Sequence, residues 1–262
     1  MDYKLYNFGL CCRNLEKSID FYEGLGCKVV KKINEDGYAV AFLYAGDQVI
    51  LELNEIPLMI EEKYFTKRRG SINSVSLKVD NIYDAYKDIE NKGLRVVWAP
   101  KENKGVYQFG LLDEECMLIK IFNFVDNDFF AMGDTDLQDK KEIELKAVCL
   151  LTNQYVETLN IYKDAFGLKE IDSNFHSGQA RYAFYGNESF NNTGILIKEI
   201  PENLEGHVHD FPDRDIEFIK KYGNGYEHLT FKVFNKDKKG EEWVKDPDGN
   251  HIRLIYESVT GI

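Results

Sequence analysis

Asn14-Leu15-Glu16-Lys17-Ser18-Ile19-Asp20-Phe21-Tyr22 and Asp246-Pro247-Asp248-Gly249-Asn250-His251-Ile252-Arg253-Leu254 are the two stretches that decide the fold. The first reads as a helix that Asn14 caps and Gly26 stops. The second reads as a tight turn, set by its Pro and Gly, leading into a strand. Both recur. At an offset of about 140 residues, far longer than a solenoid period, 15–22 falls on 155–162 and Leu25-Gly26 falls on Phe166-Gly167. The closing segments correspond too, 113–121 with 246–254.

A finer repeat lies inside the first half. Ile82, Ala85, Tyr86 and Ile89 stand at i, i+3, i+4 and i+7, one apolar stripe of a second helix. Asp80 or Asn81 can cap it and Gly93 can stop it. Alternating segments at 38–44, 49–53, 75–79, 94–98 and 117–122 read as strands. The order is strand, helix, three strands, and then the same again.

These motifs resemble the vicinal oxygen chelate superfamily, which includes glyoxalase I, bleomycin-resistance proteins, fosfomycin-resistance enzymes and extradiol dioxygenases. Its domains open with a strand and an L-E-K-S-x-x-F-Y…L-G helix and close with a D-P-D-G-N-x-I-E-L turn and strand. The resemblance implies an α+β fold: tandem glyoxalase-like domains, with four βαβββ modules forming two curved mixed-sheet half-barrels. It assigns residues 1–125 to an N-terminal domain, 126–143 to a linker rich in Asp, Lys and Gln, and 144–262 to a C-terminal domain. Phe129-Phe130 within the linker are expected to dock on one of the domains.

The last module admits two registers. One opens it on His228-Leu229-Thr230-Phe231-Lys232-Val233, which leaves no room for a crossover helix before Asp246. The other opens it on Gly206-His207-Val208-His209-Asp210-Phe211, followed by a helix capped by Asp213 and ended by Gly223. The second keeps the whole module and is preferred.

In relatives, a His or Gln, a Glu, a His and a final Glu on four strands hold a divalent metal. The resemblance carries these positions onto Asn7, Glu52, Ser74 and Lys120 in the first half, and onto Ala147, Leu196, His207 and Arg253 in the second. Only Glu52 and His207 are ordinary ligands there. Lys120 and Arg253 put positive charge where a cation should lie. A Glu52–Lys120 ion pair in place of the metal is therefore expected, and no cofactor is. The alternative is a rearranged metal site from His207, His209 and His251, because all five histidines lie in the second half and H-x-H on a strand can chelate. Cys11-Cys12 alternates across a strand, so one thiol faces the cavity, without a basic partner to activate it.

Composition bounds the partners. A formal charge of −12 argues against nucleic-acid binding. No window is long and apolar enough to span a membrane, no secretory signal opens the chain, and five cysteines without a C-x-x-C pair read as reduced thiols. A cytoplasmic protein is expected. With 33 Tyr and Phe residues, among them Tyr38, Phe42, Tyr44, Tyr182, Phe184 and Tyr185 on the expected strands, an aromatic-walled pocket is within reach.

The leading reading is a metal-free binding protein for a small organic molecule. Asn7, Glu52, Ser74, Lys120, His228 and Arg253 are its candidate ligand-binding residues, and Arg253, a fixed fork, is the group expected to take a carboxylate. The alternatives are a metal-dependent glyoxalase-like lyase, isomerase or dioxygenase, and a non-catalytic dimerising regulatory module. The balance leans away from an enzyme and leaves a homodimer open.

Overall fold

The computed structural model describes residues 2–35, 37–45, 49–55, 72–103, 106–115, 117–124, 143–152, 154–174, 182–186, 194–199, 226–234 and 238–257. The first module is β1 (Asp2–Cys12), α1 (Leu15–Gly24), β2 (Lys28–Glu35), β3 (Tyr38–Ala45) and β4 (Val49–Glu55). The second is β5 (Ile72–Lys78), α2 (Ile82–Asn91), β6 (Val96–Asn103), β7 (Val106–Leu112) and β8 (Leu118–Phe124). The third is β9 (Glu144–Thr152), α3 (Tyr155–Asn160), β10 (Lys169–Asn174), β11 (Tyr182–Gly186) and β12 (Gly194–Glu199). β13 (Tyr226–Phe234), β14 (Gly240–Lys245) and β15 (His251–Glu257) close the chain.

The helices form where the sequence supplies caps and one apolar stripe. Asn14 Oδ1 accepts the Lys17 amide at 3.0 Å, and Asn81 Oδ1 accepts those of Tyr83 and Asp84 at 3.0 and 3.2 Å. Leu15, Ile19 and Tyr22 on α1, and Ile82 and Ile89 on α2, are buried against the strands. Gly26 and Gly93 end the two helices with φ of 102° and 67°, a region other residues rarely enter. α3 has no side-chain cap and runs into a π-turn at Ile161–Ala165, which buries Tyr162.

Two mixed sheets result, and neither closes into a barrel. The outer sheet has seven strands in the order β14-β15-β13-β1-β4-β3-β2, and the inner sheet eight, β10-β11-β12-β9-β5-β8-β7-β6. The outer sheet joins the first and last modules through the antiparallel β1–β13 pair; the inner joins the second and third through β5–β9. In each sheet one face carries the apolar residues that pack on the helices, such as Phe8, Leu51 and Leu229 in the outer sheet.

The two repeated stretches touch each other. Tyr22, at the end of α1, donates to Asp113 Oδ2 at 2.8 Å in the turn before β8. Tyr162, its counterpart in the repeat, donates to Asp246 Oδ2 at 3.1 Å in the turn before β15. Consecutive modules are tied by these bridges while the sheets tie outer to outer and inner to inner. Asp113 also accepts the Glu115 and Met117 amides, at 2.9 and 2.8 Å. Burial nevertheless pushes its carboxyl up to about 7, with the nearby Glu115 acting in the same direction.

The preferred register of the last module is corrected here. Its opening strand is β13, carrying His228, which pairs antiparallel with β1 and parallel with β15. The expectation assumed that a parallel pair demands a crossover helix. Here β14 runs back on the far side of β15, antiparallel to it, so the chain goes up β13, down β14 and up β15 without one. His207, His209, the Asp213-capped helix and the linker with Phe129-Phe130 lie outside the described residues.

Candidate functional site

Residues paired across strands share a face, and register therefore decides which side chains meet. In the outer sheet one row crosses Phe42, Glu52, Gly9, His228 and His251. The next row crosses Tyr44, Ile50, Asn7, Thr230, Arg253 and Trp243. Both lie on the face turned away from the helices. Asn7, Glu52, His228 and Thr230 are each no more than 5% exposed, while Arg253 keeps 26% of its side chain in solvent.

Glu52 is the hub. Its Oε2 accepts Asn7 Nδ2 at 3.3 Å and Arg253 Nη1 at 3.5 Å, and its Oε1 accepts Asn54 Nδ2 at 3.4 Å. His228 Nε2 stands 3.7 Å from the same Oε2, an ion-pair separation and too long for a hydrogen bond. Burial pushes the Glu52 carboxyl up, but His228, then Arg253 and Asn54, outweigh burial and hold it below the usual range. Asn7 Oδ1 and Thr230 Oγ1 are buried beside this hub with no hydrogen-bond partner among the described residues.

Gly9 seats the imidazole. A Cβ added there would lie 2.5 Å from His228 Nδ1 and 3.1 Å from Nε2, so the ring rests on bare backbone. On its other side it meets Trp243 edge-on, with centroids 5.1 Å apart at 72°. Arg253 is held outward as well as inward, with Nε and Nη2 at 3.0 and 2.9 Å from Glu241 Oε2. Its guanidinium carbon lies 5.8 Å from the Trp243 ring centroid.

The expected groupings change accordingly. Asn7 and Glu52 meet His228 and Arg253 from the other half of the chain, whereas Ser74 and Lys120 lie in the inner sheet with Ala147 and Leu196. The expected Glu52–Lys120 pair does not form, because the two residues belong to different sheets and Arg253 is the cation beside Glu52. His251 pairs with His228 across β13–β15, and no group of three or more His, Cys, Asp or Glu side chains converges among the described residues. The Arg253 fork, expected to be open for a carboxylate, already engages Glu241.

Cys11 and Cys12 are both buried, and only Cys12 belongs to the helix-side core. Burial pushes the Cys12 thiol up to about 12, so it is no nucleophile. Of the expected aromatic walls, Phe42 and Tyr44 take their places on β3, Tyr44 being 39% exposed. The side chains of Tyr38, Tyr182, Phe184 and Tyr185 lie outside the described residues.

Trp243 and Glu241 escaped sequence reasoning, although the signal was present. Folding the chain back about the turn at Asp246-Pro247-Asp248-Gly249 sets Trp243 opposite Arg253. Half-exposed at 51%, Trp243 is a large ring on an otherwise hydrophilic edge strand.

Residues 4–115 match the model of the Glyoxalase/Bleomycin resistance protein/Dioxygenase superfamily. Among solved structures, glyoxalase I from Zea mays superposes with a TM-score of 0.70 at 16% identity, over 97% of this chain and 92% of that one. A putative dioxygenase from Bacillus subtilis superposes with a TM-score of 0.64 at 13% identity, over 97% and 84%. Identities this low establish a common fold and no shared activity. No curated protein matches the chain in sequence. No helix among the described residues is long and apolar enough to cross a membrane.

Proposed function

For a chain whose residues 4–115 carry a domain of the glyoxalase, bleomycin resistance protein and dioxygenase superfamily, we propose binding of a small, partly aromatic molecule on the helix-free face of the outer sheet, without a metal. The observation that carries this reading is the position of Arg253. It occupies the strand position that the family pattern gives to a metal-binding Glu, and its Nη1 is 3.5 Å from Glu52 Oε2. A divalent ion on Glu52 would lie ~2.0–2.6 Å from a carboxylate oxygen, within a few ångströms of that fixed positive charge. Asn7, Glu52 and His228 do not fit such an ion while Arg253 stands there.

The surrounding chemistry suggests the ligand. Tyr44 on β3 and Trp243 on β14 are half-exposed rings at opposite ends of one row, with Asn7, Thr230 and Arg253 between them. A planar ring can stack on either wall. Two carboxylates, Glu52 and Glu241, flank one guanidinium, so a neutral carbonyl or hydroxyl suits the floor better than a carboxylate. Thr230 Oγ1 and Asn7 Oδ1 are buried groups still lacking a partner among the described residues, and a ligand hydroxyl would satisfy them. The fold supplies the frame and these residues supply the selectivity; the whole chain is read as a binder, not as a lyase or dioxygenase.

The test is calorimetric titration of chelator-treated protein with 4-hydroxyacetophenone and with catechol. Saturable binding is expected, weakened about tenfold by Arg253→Ala and by Trp243→Ala, equivalent to ~1.4 kcal/mol. Binding that requires added zinc, manganese or iron, or none to either probe, would overturn the proposal.

A further inference from the structure

We propose that the inner sheet carries a second, separate site that takes the carboxylate of a small organic acid between Lys120, Ser74 and the indole of Trp98. Register again assembles it. One row crosses Trp98, Gly110, Lys120, Ser76, Ala147 and Gly194, with Lys120 the only long charged side chain in it. Ser74 lies two residues from Ser76 on the same face of β5, paired with Leu118 and Cys149.

Two buried donors and one half-buried lysine point to the ligand. Ser74 is 0% exposed, and its hydroxyl has no partner among the described residues. The Trp98 Nε1 proton is likewise buried, with no acceptor among the described residues. A Cβ on Gly110 would overlap the Trp98 ring, so the indole lies on bare backbone beside Lys120, as the His228 ring lies on Gly9. Lys120 is half-buried and has no carboxylate partner among the described residues. Glu144, further along this face, is held by Lys146 at 2.6 Å. A buried donor left without an acceptor destabilises the fold, because it has lost its hydrogen bonds to water and gained none in return. An anion with several acceptor oxygens would offer an acceptor to each of the three groups. Lys101, whose Nζ lies 5.2 Å from the Trp98 centroid, adds positive charge at the edge. The outer face has the opposite balance, two carboxylates about one guanidinium, so the two sites would sort neutral from anionic ligands.

The chain has two tryptophans, Trp98 and Trp243, one in each sheet, so each site has its own fluorophore. In the Trp243→Phe protein, Trp98 emission should change saturably with sodium pyruvate or sodium acetate at constant ionic strength. Lys120→Met should weaken the response about tenfold, Ser74→Ala should weaken it several-fold, and Arg253→Met should leave it unchanged. Ser74→Ala removes one hydroxyl and keeps the test available should Lys120→Met fail to fold. No saturable change with either acid, a change that chloride reproduces, or a response that both Lys120→Met and Ser74→Ala leave intact would overturn the second site. None of these outcomes bears on the outer face, because Trp243 is absent from the variant.

Discussion

Replacing Arg253 by Met tests whether the outer face is organised by charge. The substitution keeps much of the aliphatic stem and deletes the guanidinium. At an effective dielectric constant of about 20, opposite charges at the observed 3.5 Å separation attract by about 5 kcal/mol before desolvation is counted. Three facts reduce that figure. Arg253 keeps 26% of its side chain in solvent, it is shared with Glu241, and Glu52 retains Asn7, Asn54 and His228. The expected coupling between Arg253 and Glu52 is therefore about 1 kcal/mol, near the lower end of values for contacting charged pairs. A double-mutant cycle of Arg253→Met with Glu52→Gln, read by urea unfolding, measures it. The pH dependence supplies a second readout with a definite sign. Glu52 is held below its ordinary range, so its contribution is present above that range and is lost as pH falls through the folded value. Without Arg253 the depression loses one of its causes, so the acid-side loss should be smaller and should end at a higher pH. If Arg253→Met costs the same with Gln at position 52 as with Glu, the two do not form a unit and the account of the site is wrong.

Gly9→Ala would put a methyl group where the His228 ring rests; a loss of about 1–3 kcal/mol is expected, as for overpacking elsewhere. The same change in a His228→Ala background should cost much less, and equal costs would show that the ring does not depend on Gly9. Asp113, pushed up to about 7 mainly by burial, retains its proton in the folded protein well above the usual carboxylate range. Its contribution is full below that range and is lost as pH rises through about 7, at no more than ~1.4 kcal/mol per pH unit. Asp113→Asn imitates the protonated form, so its urea midpoint should fall less than that of the parent between about pH 4.5 and pH 7.5. An unchanged slope would contradict the buried, protonated carboxyl.

How much of this was legible follows from the range of each interaction. The Asn14 cap, the 82–89 stripe and the Asp246–Gly249 turn are fixed by neighbours a few residues apart, and the amino-acid order displays them directly. The repeat and the family motifs, also local patterns, were enough to foretell four modules and a mixed-sheet α+β fold. They drew attention to Asn7, Glu52 and Arg253, and aligned an arginine with the family pattern's final carboxylate. Which cation meets Glu52 was beyond them. Lys120 is nearer in sequence, yet Arg253, 201 positions away, makes the contact. That choice belongs to sheet pairing: β1 binds β13 through backbone groups that every residue possesses, and only the packing of both apolar faces selects this partner. The same pairing carried His228 onto Gly9 and left Ser74 and Lys120 together on the inner sheet. Side-chain pattern along the chain specifies each module and its register against its own helix. The partnership of modules, and with it the composition of both faces, is decided where nonlocal strands compete for the same sheet edge.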